Sequence, residues 1–193
     1  RTVATSLHAM FAEGSSFMGE GPKRYFHYKR MFDPSEDPKA LLERWYSACC
    51  GTEAAPYLKA YYGFWERFWT GEKVRTTPWY GSVREMYCNF NSFAYLKALT
   101  KKDLETAEAL MAKAHAAAMR SGDADQRIRA ERLYDFARFY TARSLGTGAM
   151  AESGAGLTPE IFESLDRAQE YAKRIAKVKY DEPFEMSAPY VGS

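Results

Sequence analysis

The balance between alanine and β-branched residues is the feature that most limits what this chain can fold into. Its 193 residues include 28 alanines but only 8 valines and isoleucines together. Alanine has the highest helix propensity of the amino acids, whereas valine and isoleucine are enriched in strands. A large sheet is therefore disfavoured, and the sequence predicts an all-α protein.

Three long segments in the second half of the chain carry apolar residues at helical spacing. In the first and the third the spacings alternate between three and four, which is typical of helices that pack side by side. The three segments follow the capping-box sequence Thr100–Asp103, the turn Ser121–Asp123 and the cap Thr158–Pro159. Their short or small-residue connections predict an up-and-down helical bundle. The apolar positions are Leu104, Ala107, Met111, Ala114 and Ala118; Leu133, Phe136, Ala137 and Tyr140; and Ile161, Leu165, Ala168, Ala172 and Ile175.

Two shorter helices are predicted near the start of the chain. Pro22 stands where the first could begin, and Asp33–Pro34 ends its pattern. Asp37 can cap the second helix, because its carboxylate can accept a hydrogen bond from a free amide, and Pro38 suits the first turn. Gly51 is expected to end this helix.

A further helix is predicted from Glu53 to Gly71, and its apolar stripe is almost wholly aromatic. Rings can bind sugars, but the regular helical spacing of this stripe favours packing in the core. The stripe consists of Leu58, Tyr61, Tyr62, Trp65, Phe68 and Trp69.

Two stretches are expected to be irregular: residues 72–91, and residues 146–157, which follow a helix expected to end near Leu145. The first contains Trp79 and Tyr80 beside Pro78. Aromatic faces in a loop can stack on pyranose rings while their polar groups bond to hydroxyls. Trp79 and Tyr80 are therefore candidate substrate-binding residues.

No cofactor or metal site is expected. Gly146, Gly148 and Ala151 match the dinucleotide pattern G-x-G-x-x-A, but a predicted helix precedes them where that motif requires a strand. The three histidines are far apart and lack ligand spacing. The adjacent Cys49–Cys50 and the single Cys88 form no C-x-x-C pair, so they are interpreted as small buried side chains.

Charge and hydropathy exclude two classes of partner. The formal net charge is +2 and the isoelectric point is near 8.4, below the value of about 9 that is typical of nucleic-acid-binding domains. No apolar run approaches the roughly 20 residues that a membrane-spanning helix needs. We therefore expect neither nucleic-acid binding nor a membrane span.

The first 21 residues have the least helical pattern. Residues 7–12 fit a short buried strand, although helical spacing fits almost as well. Glu13 would then stand at the end of a strand, where barrel enzymes place site residues. Glycosidases use paired carboxylates, so Glu13 is a candidate catalytic residue and Glu20 a candidate substrate-binding residue; the alternative is a solvated or helix-capping acid.

Several short motifs together resemble a known family. Residues 32–42 (FDPSEDPKALL), 51–56 (GTEAAP) and 61–62 (YY) look like the C-terminal region of bacterial glycoside-hydrolase-like proteins, an uncharacterised family related to α-glucuronidases and β-hexosaminidases. In that family the last strand and helix of a (β/α)8 barrel lead into a helical domain. The resemblance aligns Glu13 with an acid after the last strand and residues 21–23 with the start of the final barrel helix.

The resemblance implies a division of the chain and a set of partners. Residues 1–33 would be the short remnant of the barrel, residues 34–180 the helical domain and residues 181–193 an extended tail. It also implies a periplasmic or extracellular bacterial protein whose partners are an oligosaccharide or glycoside and an N-terminal barrel domain, with a catalytic site incomplete in this chain. The alternative is a helical protein-interaction or homodimerisation module without sugar chemistry.

Overall fold

The structure, a computed structural model, describes residues 21–77, 80–81, 98–153 and 158–176, with side chains left out from 149 to 153. Within these ranges it is all-helical and contains no strand. Seven helices make up the described bundle: α1 Gly21–Phe32, α2 Pro38–Cys50, α3 Ala55–Thr70, α4 Glu72–Arg75, α5 Lys101–Ala118, α6 Ala124–Ser153 and α7 Pro159–Ala176.

The predicted helix starts are confirmed because their caps are local. The carboxylate of Asp37 accepts a hydrogen bond from the Ala40 amide at 2.9 Å, with Pro38 in the first turn of α2. Thr100 and Asp103 form the expected reciprocal capping box at the start of α5. Each cap satisfies an amide that has no partner within its helix.

Consecutive long helices run antiparallel. His115 near the end of α5 lies 2.5 Å from Glu131 near the start of α6. On the next pair, Gly146 of α6 packs against Leu165 of α7, while Arg174 further along α7 reaches back to Glu131. These contacts confirm a helical bundle in which α6 and α7 make the most extensive helix–helix contact.

Alanines line the centre of the bundle, where α5 contacts α2, α3 and α6. The small side chains allow the helices to approach closely, and the larger Met111 and Leu58 fill the remaining space. The main core cluster combines residues of all four helices: Tyr46, Cys49, Cys50, Ala54, Leu58, Tyr61, Ala107, Met111, Ala114, Ala117, Ala118, Ala130, Leu133 and Ala137.

The aromatic stripe of α3 belongs to this core, as its spacing predicts. Tyr61 is buried, and burial raises its pKa to about 12, so the phenol stays neutral at pH 7. Trp65 makes edge-to-face contacts with Tyr61 at 6.4 Å and with Tyr140 of α6 at 5.1 Å between ring centroids. The Trp65–Tyr140 pair connects α3 with α6, and burial leaves the Tyr61 ring unavailable for stacking on a sugar.

Two expectations about irregular segments are wrong. Helix α6 continues to Ser153 instead of ending near Leu145, and Glu72–Arg75 forms the short helix α4. Gly146 stays helical because α7 packs directly against it: a Cβ built there would lie 2.7 Å from Leu165 Cδ2. The glycine serves close helix packing rather than helix termination.

Helix α1 attaches to the bundle at its start. Pro22 is buried, and Gly21 lies against the ring of Trp45 in α2. The end of α1 is much less covered, since Tyr28 and Phe32 are 48% and 87% exposed. The predicted barrel strand falls on residues 1–20 and the predicted tail on residues 177–193, and both lie outside the described residues.

The close approach of α6 and α7 predicts an effect of Gly146→Ala. Alanine raises helix propensity by about 1 kcal/mol, but overpacking against Leu165 costs about 1–3 kcal/mol, so the free energy of unfolding should fall. Urea denaturation measures the change. The double variant Gly146→Ala/Leu165→Ala should lose less stability than the sum of the two single variants, whereas additive losses would contradict the contact.

Candidate functional site

A groove of about 740 Å³ is formed by α5, α6 and the start of α7. Its volume lies in the range of small-molecule binding sites, about 300–1,000 Å³. We call it the acidic groove. Its walls are Lys101, Glu105, Glu108, Thr141, Leu145, Thr158, Glu160, Ile161, Glu163, Ser164 and Arg167.

Two helix N-termini position the polar groups of the acidic groove. The capping box at Thr100 fixes the start of α5. Glu105 and Glu108 lie one turn apart on one face of this helix. At the start of α7, the Thr158 hydroxyl accepts a hydrogen bond from the Ile161 amide at 3.4 Å. The two pairs of glutamates on α5 and α7 both line the groove.

The charge of the acidic groove is negative. Four glutamates outnumber the two cations Lys101 and Arg167. Each cation lies near a glutamate of its own helix, with Lys101 Nζ 3.8 Å from Glu105 and Arg167 Nη2 3.9 Å from Glu163. These exposed pairs are weak and leave the carboxylate oxygens free to exchange partners.

The carboxylate of Glu160 is held ionised by its place at the start of α7. Its own backbone amide and the Thr158 hydroxyl donate hydrogen bonds to it, and these lower its pKa below the usual value. A carboxylate that stays ionised accepts hydrogen bonds, and it is unsuited to donate a proton as a general acid at neutral pH.

The acidic groove combines hydrogen-bond acceptors and hydroxyl groups with apolar surface. Thr141, Thr158 and Ser164 supply hydroxyls that can donate or accept, and Ile161 and Leu145 supply the apolar contact. This set of groups suits a polyhydroxylated or weakly cationic ligand. It offers binding and orientation, and we assign no reaction to it.

Only one of the four predicted site residues falls within the described part of the chain. Tyr80 is exposed, and its amide donates a hydrogen bond to the Thr77 hydroxyl at 3.2 Å. Lys73 of the preceding α4 pairs with Asp103, so this segment leaves the bundle at the same end of α5 as the acidic groove. Glu13, Glu20 and Trp79 lie outside the described residues, and their roles stay predictions.

A second polar cluster lies further along α6, where two carboxylates share one guanidinium. Arg174 Nη2 of α7 is 3.4 Å from Glu131 and 3.2 Å from Asp135. Asp135 is only 7% exposed, and its Oδ1 accepts no hydrogen bond within the described structure. Burial raises the pKa of Asp135 above its usual 3.8, although Arg174 opposes the shift.

This carboxylate pair fits an ion-pair network better than a catalytic pair. A glycosidase needs room between its two acids for a glycosidic bond, but Arg174 lies in contact with both of these. The neighbouring cavity, lined by both acids, has about 180 Å³, below the usual size of a ligand site. We interpret the cluster as a structural contact between α6 and α7.

The glutamates of the acidic groove escaped the sequence analysis. Glu160 lies in the first turn of α7, where acidic residues are common because they favour the helix dipole. Glu105, Glu108 and Glu163 lie in later turns, where glutamate is common because it is a good helix former. A pattern that fits most helices cannot distinguish a binding residue. The only available signal was that two such pairs occur on helices expected to pack in one bundle.

Within the described residues, no group of three or more histidines, cysteines and acidic residues could hold a metal ion. In the same ranges, every helix is too short or too polar to cross a bilayer.

The buried carboxyl of Asp135 predicts a pH-dependent effect of Asp135→Asn. A raised pKa means that the folded chain binds this proton more tightly than the unfolded chain, so the ionised form lowers stability above that pKa. At pH 7 the variant should gain up to about 1 kcal/mol in the free energy of unfolding, and the gain should shrink as the pH falls through the folded-state pKa.

Chemical denaturation between pH 3 and pH 8 measures this difference. The exposed Asp166→Asn on α7 is the matched control and should change stability by less than about 0.5 kcal/mol. A loss of stability in Asp135→Asn at pH 7 would mean that its attraction to Arg174 outweighs burial.

Comparisons with known proteins assign no family to the chain. No family model, no curated protein and no solved structure matches it.

Proposed function

We propose that this chain is the C-terminal helical part of a carbohydrate-active, glycoside-hydrolase-like protein. In this proposal the bundle supports an active site that lies mostly in an N-terminal barrel domain, and it contributes a surface to the substrate. The motifs in residues 32–42 and 51–56 suggest the family. The same resemblance suggests a periplasmic or extracellular bacterial location.

The acidic groove is the observation that carries the proposal. Carboxylates accept hydrogen bonds from sugar hydroxyls, and the hydroxyls of Thr141 and Ser164 extend the same network. Its volume of about 740 Å³ suits a short oligosaccharide. Tyr80 leaves the bundle from the same end, and with Trp79 it would add the stacking surface that the groove lacks.

The attachment of α1 supports the link to an N-terminal domain. Gly21 lies against Trp45, which itself contacts Tyr62 edge-to-face at 5.5 Å between ring centroids, and Pro22 is buried. The chain therefore enters the bundle through a buried contact at the start of α1. The proposal makes residues 1–33 the end of the barrel, with Glu13 as a catalytic acid and Glu20 near the substrate.

Oligosaccharide binding tests the proposal. In calorimetric titrations of this chain with β-linked and α-linked oligosaccharides, at least one should bind, and Glu108→Gln or Glu163→Gln should weaken it about tenfold because each loses a charged hydrogen bond. The control is Glu170→Gln, an exposed acid of α7 outside the groove, which should bind unchanged.

The assignment of catalysis to the barrel domain is tested separately. This chain should not hydrolyse aryl glycosides, whereas the full-length protein should hydrolyse or bind a glycoside. Robust hydrolysis by this chain would contradict the proposal, and so would the absence of binding to every sugar in both forms.

A second candidate function, a helical interaction or homodimerisation module, is favoured by the end of α1. Tyr28, Met31 and Phe32 are exposed there, and Phe32 has 87% of its surface accessible. Large apolar side chains clustered on one exposed helix end often mark a protein contact. In this alternative the cluster closes a homodimer and the acidic groove has no sugar ligand.

Sedimentation velocity tests the homodimer. If the cluster forms the interface, the wild-type chain should sediment as a dimer and Phe32→Ser as a monomer, because a phenyl ring at an interface contributes about 1–3 kcal/mol. The matched control is Phe162→Ser, which removes a 50% exposed phenylalanine from α7. A monomeric wild-type chain would contradict the alternative.

A further inference from the structure

The adjacent cysteines at the end of α2 have an arrangement that the core interpretation does not explain. Cys49 and Cys50 are both buried free thiols, and their sulfur atoms lie 3.6 Å apart. Side chains of consecutive helical residues normally diverge by about 100°, so a sulfur–sulfur contact between them is unusual. We call this pair the dithiol.

The end of α2 is held in place around the dithiol. Gly51 adopts a φ of 92°, and a Cβ there would lie 2.7 Å from Gln126 Oε1, so only glycine fits. Arg129 of α6 donates hydrogen bonds to the carbonyls of Cys49 at 2.8 Å and Ala48 at 3.2 Å. These carbonyls accept no hydrogen bond within α2, so the guanidinium supplies the missing donors and fixes the end of the helix.

A cavity of about 230 Å³ lies beside the end of α2. Cys50 forms part of its wall, together with Ser47, Ala117 and Gln126. For comparison, an apolar cavity of about 150 Å³ accepts benzene. A small electrophile with one ring therefore has room beside Cys50.

The electrostatics of the pair favour nucleophilic attack by one sulfur. The Cys50 thiol donates a hydrogen bond to the Cys49 sulfur, which lowers the pKa of Cys49 although burial opposes the shift, and the charge of Arg129 helps. The same contact raises the pKa of Cys50. The lower pKa belongs to Cys49, which makes its sulfur the better nucleophile of the two.

The geometry disfavours a disulfide and favours a single bridging atom. Disulfides usually join Cα atoms 4.4–6.8 Å apart, whereas consecutive Cα atoms are about 3.8 Å apart. By contrast, an atom about 2.3 Å from each sulfur, a typical metal–thiolate length, would subtend an angle of about 100° at the observed 3.6 Å separation. That angle suits a pyramidal or tetrahedral soft centre.

We propose that the Cys49–Cys50 dithiol is a binding site for a soft thiophilic centre of the trivalent arsenic type. Two protein ligands are too few for structural zinc, which takes four. A monosubstituted arsenical carries one carbon and is completed by two thiolates. With an arsenoxide, two As–S bonds form, the As–O bond breaks, and both thiol protons leave with the oxygen as water; no electron is transferred.

Phenylarsine oxide is the probe that tests this site. The Cys88→Ser variant retains only the two cysteines of the dithiol. It should bind one equivalent of phenylarsine oxide and gain the mass of the arsenical less one water. Both thiols should then no longer react with a thiol reagent. An excess of 2,3-dimercaptopropanol should restore both. In the Cys88→Ser background, the Cys49→Ser and Cys50→Ser variants should bind phenylarsine oxide at least about 100-fold more weakly, because each has lost one of the two sulfur atoms that hold the arsenic.

Thermal unfolding separates the folded site from a reactive unfolded chain. Binding at the prearranged dithiol should raise the melting temperature of Cys88→Ser, since a ligand that prefers the folded state stabilises it. Circular dichroism of the serine variants should show the wild-type helix content. The proposal is overturned by a melting temperature that stays constant or falls with the arsenical, or by equal binding to the single-cysteine chains.

Discussion

The close packing of helices along alanine seams is the interaction on which the rest of the structure depends. Ala107, Ala114 and Ala118 of α5 are almost completely buried, and their small side chains bring α5 within contact of α2, α3 and α6. Larger side chains would push these helices apart and open the core. The start and the end of α5 then determine which surfaces form at the two ends of the bundle.

The two ends of the bundle differ in chemistry because different helix termini meet there. At one end, the N-terminal halves of α5 and α7 bring four glutamates together, and the acidic groove opens between them. At the other end, α2 stops at Gly51 beside the start of α6, where Arg129 caps its carbonyls and the dithiol is buried. Polyol binding and thiol chemistry are therefore proposed for separate surfaces.

Predictions from the sequence were accurate where the controlling interaction is local. The caps Asp37 and Thr100 act within one turn, so their residues were sufficient to place two helix starts. The end of α6 was missed because Leu165, nineteen positions further along, is what makes Gly146 compatible with a helix. The groove glutamates were missed for a similar reason, because the residues around each of them do not show which other helix packs opposite.

The sequence by itself determined the all-helical class, the starts of the long helices and the apolar face that each presents, because propensity, capping and periodicity are properties of neighbouring residues. Only the tertiary structure decided which helix faces pack together and which cavities form at the helix ends. It joined the glutamates of α5 and α7 in one groove and set Arg129 against the end of α2. Those contacts depend on the packing of segments far apart in the chain, which no local pattern encodes.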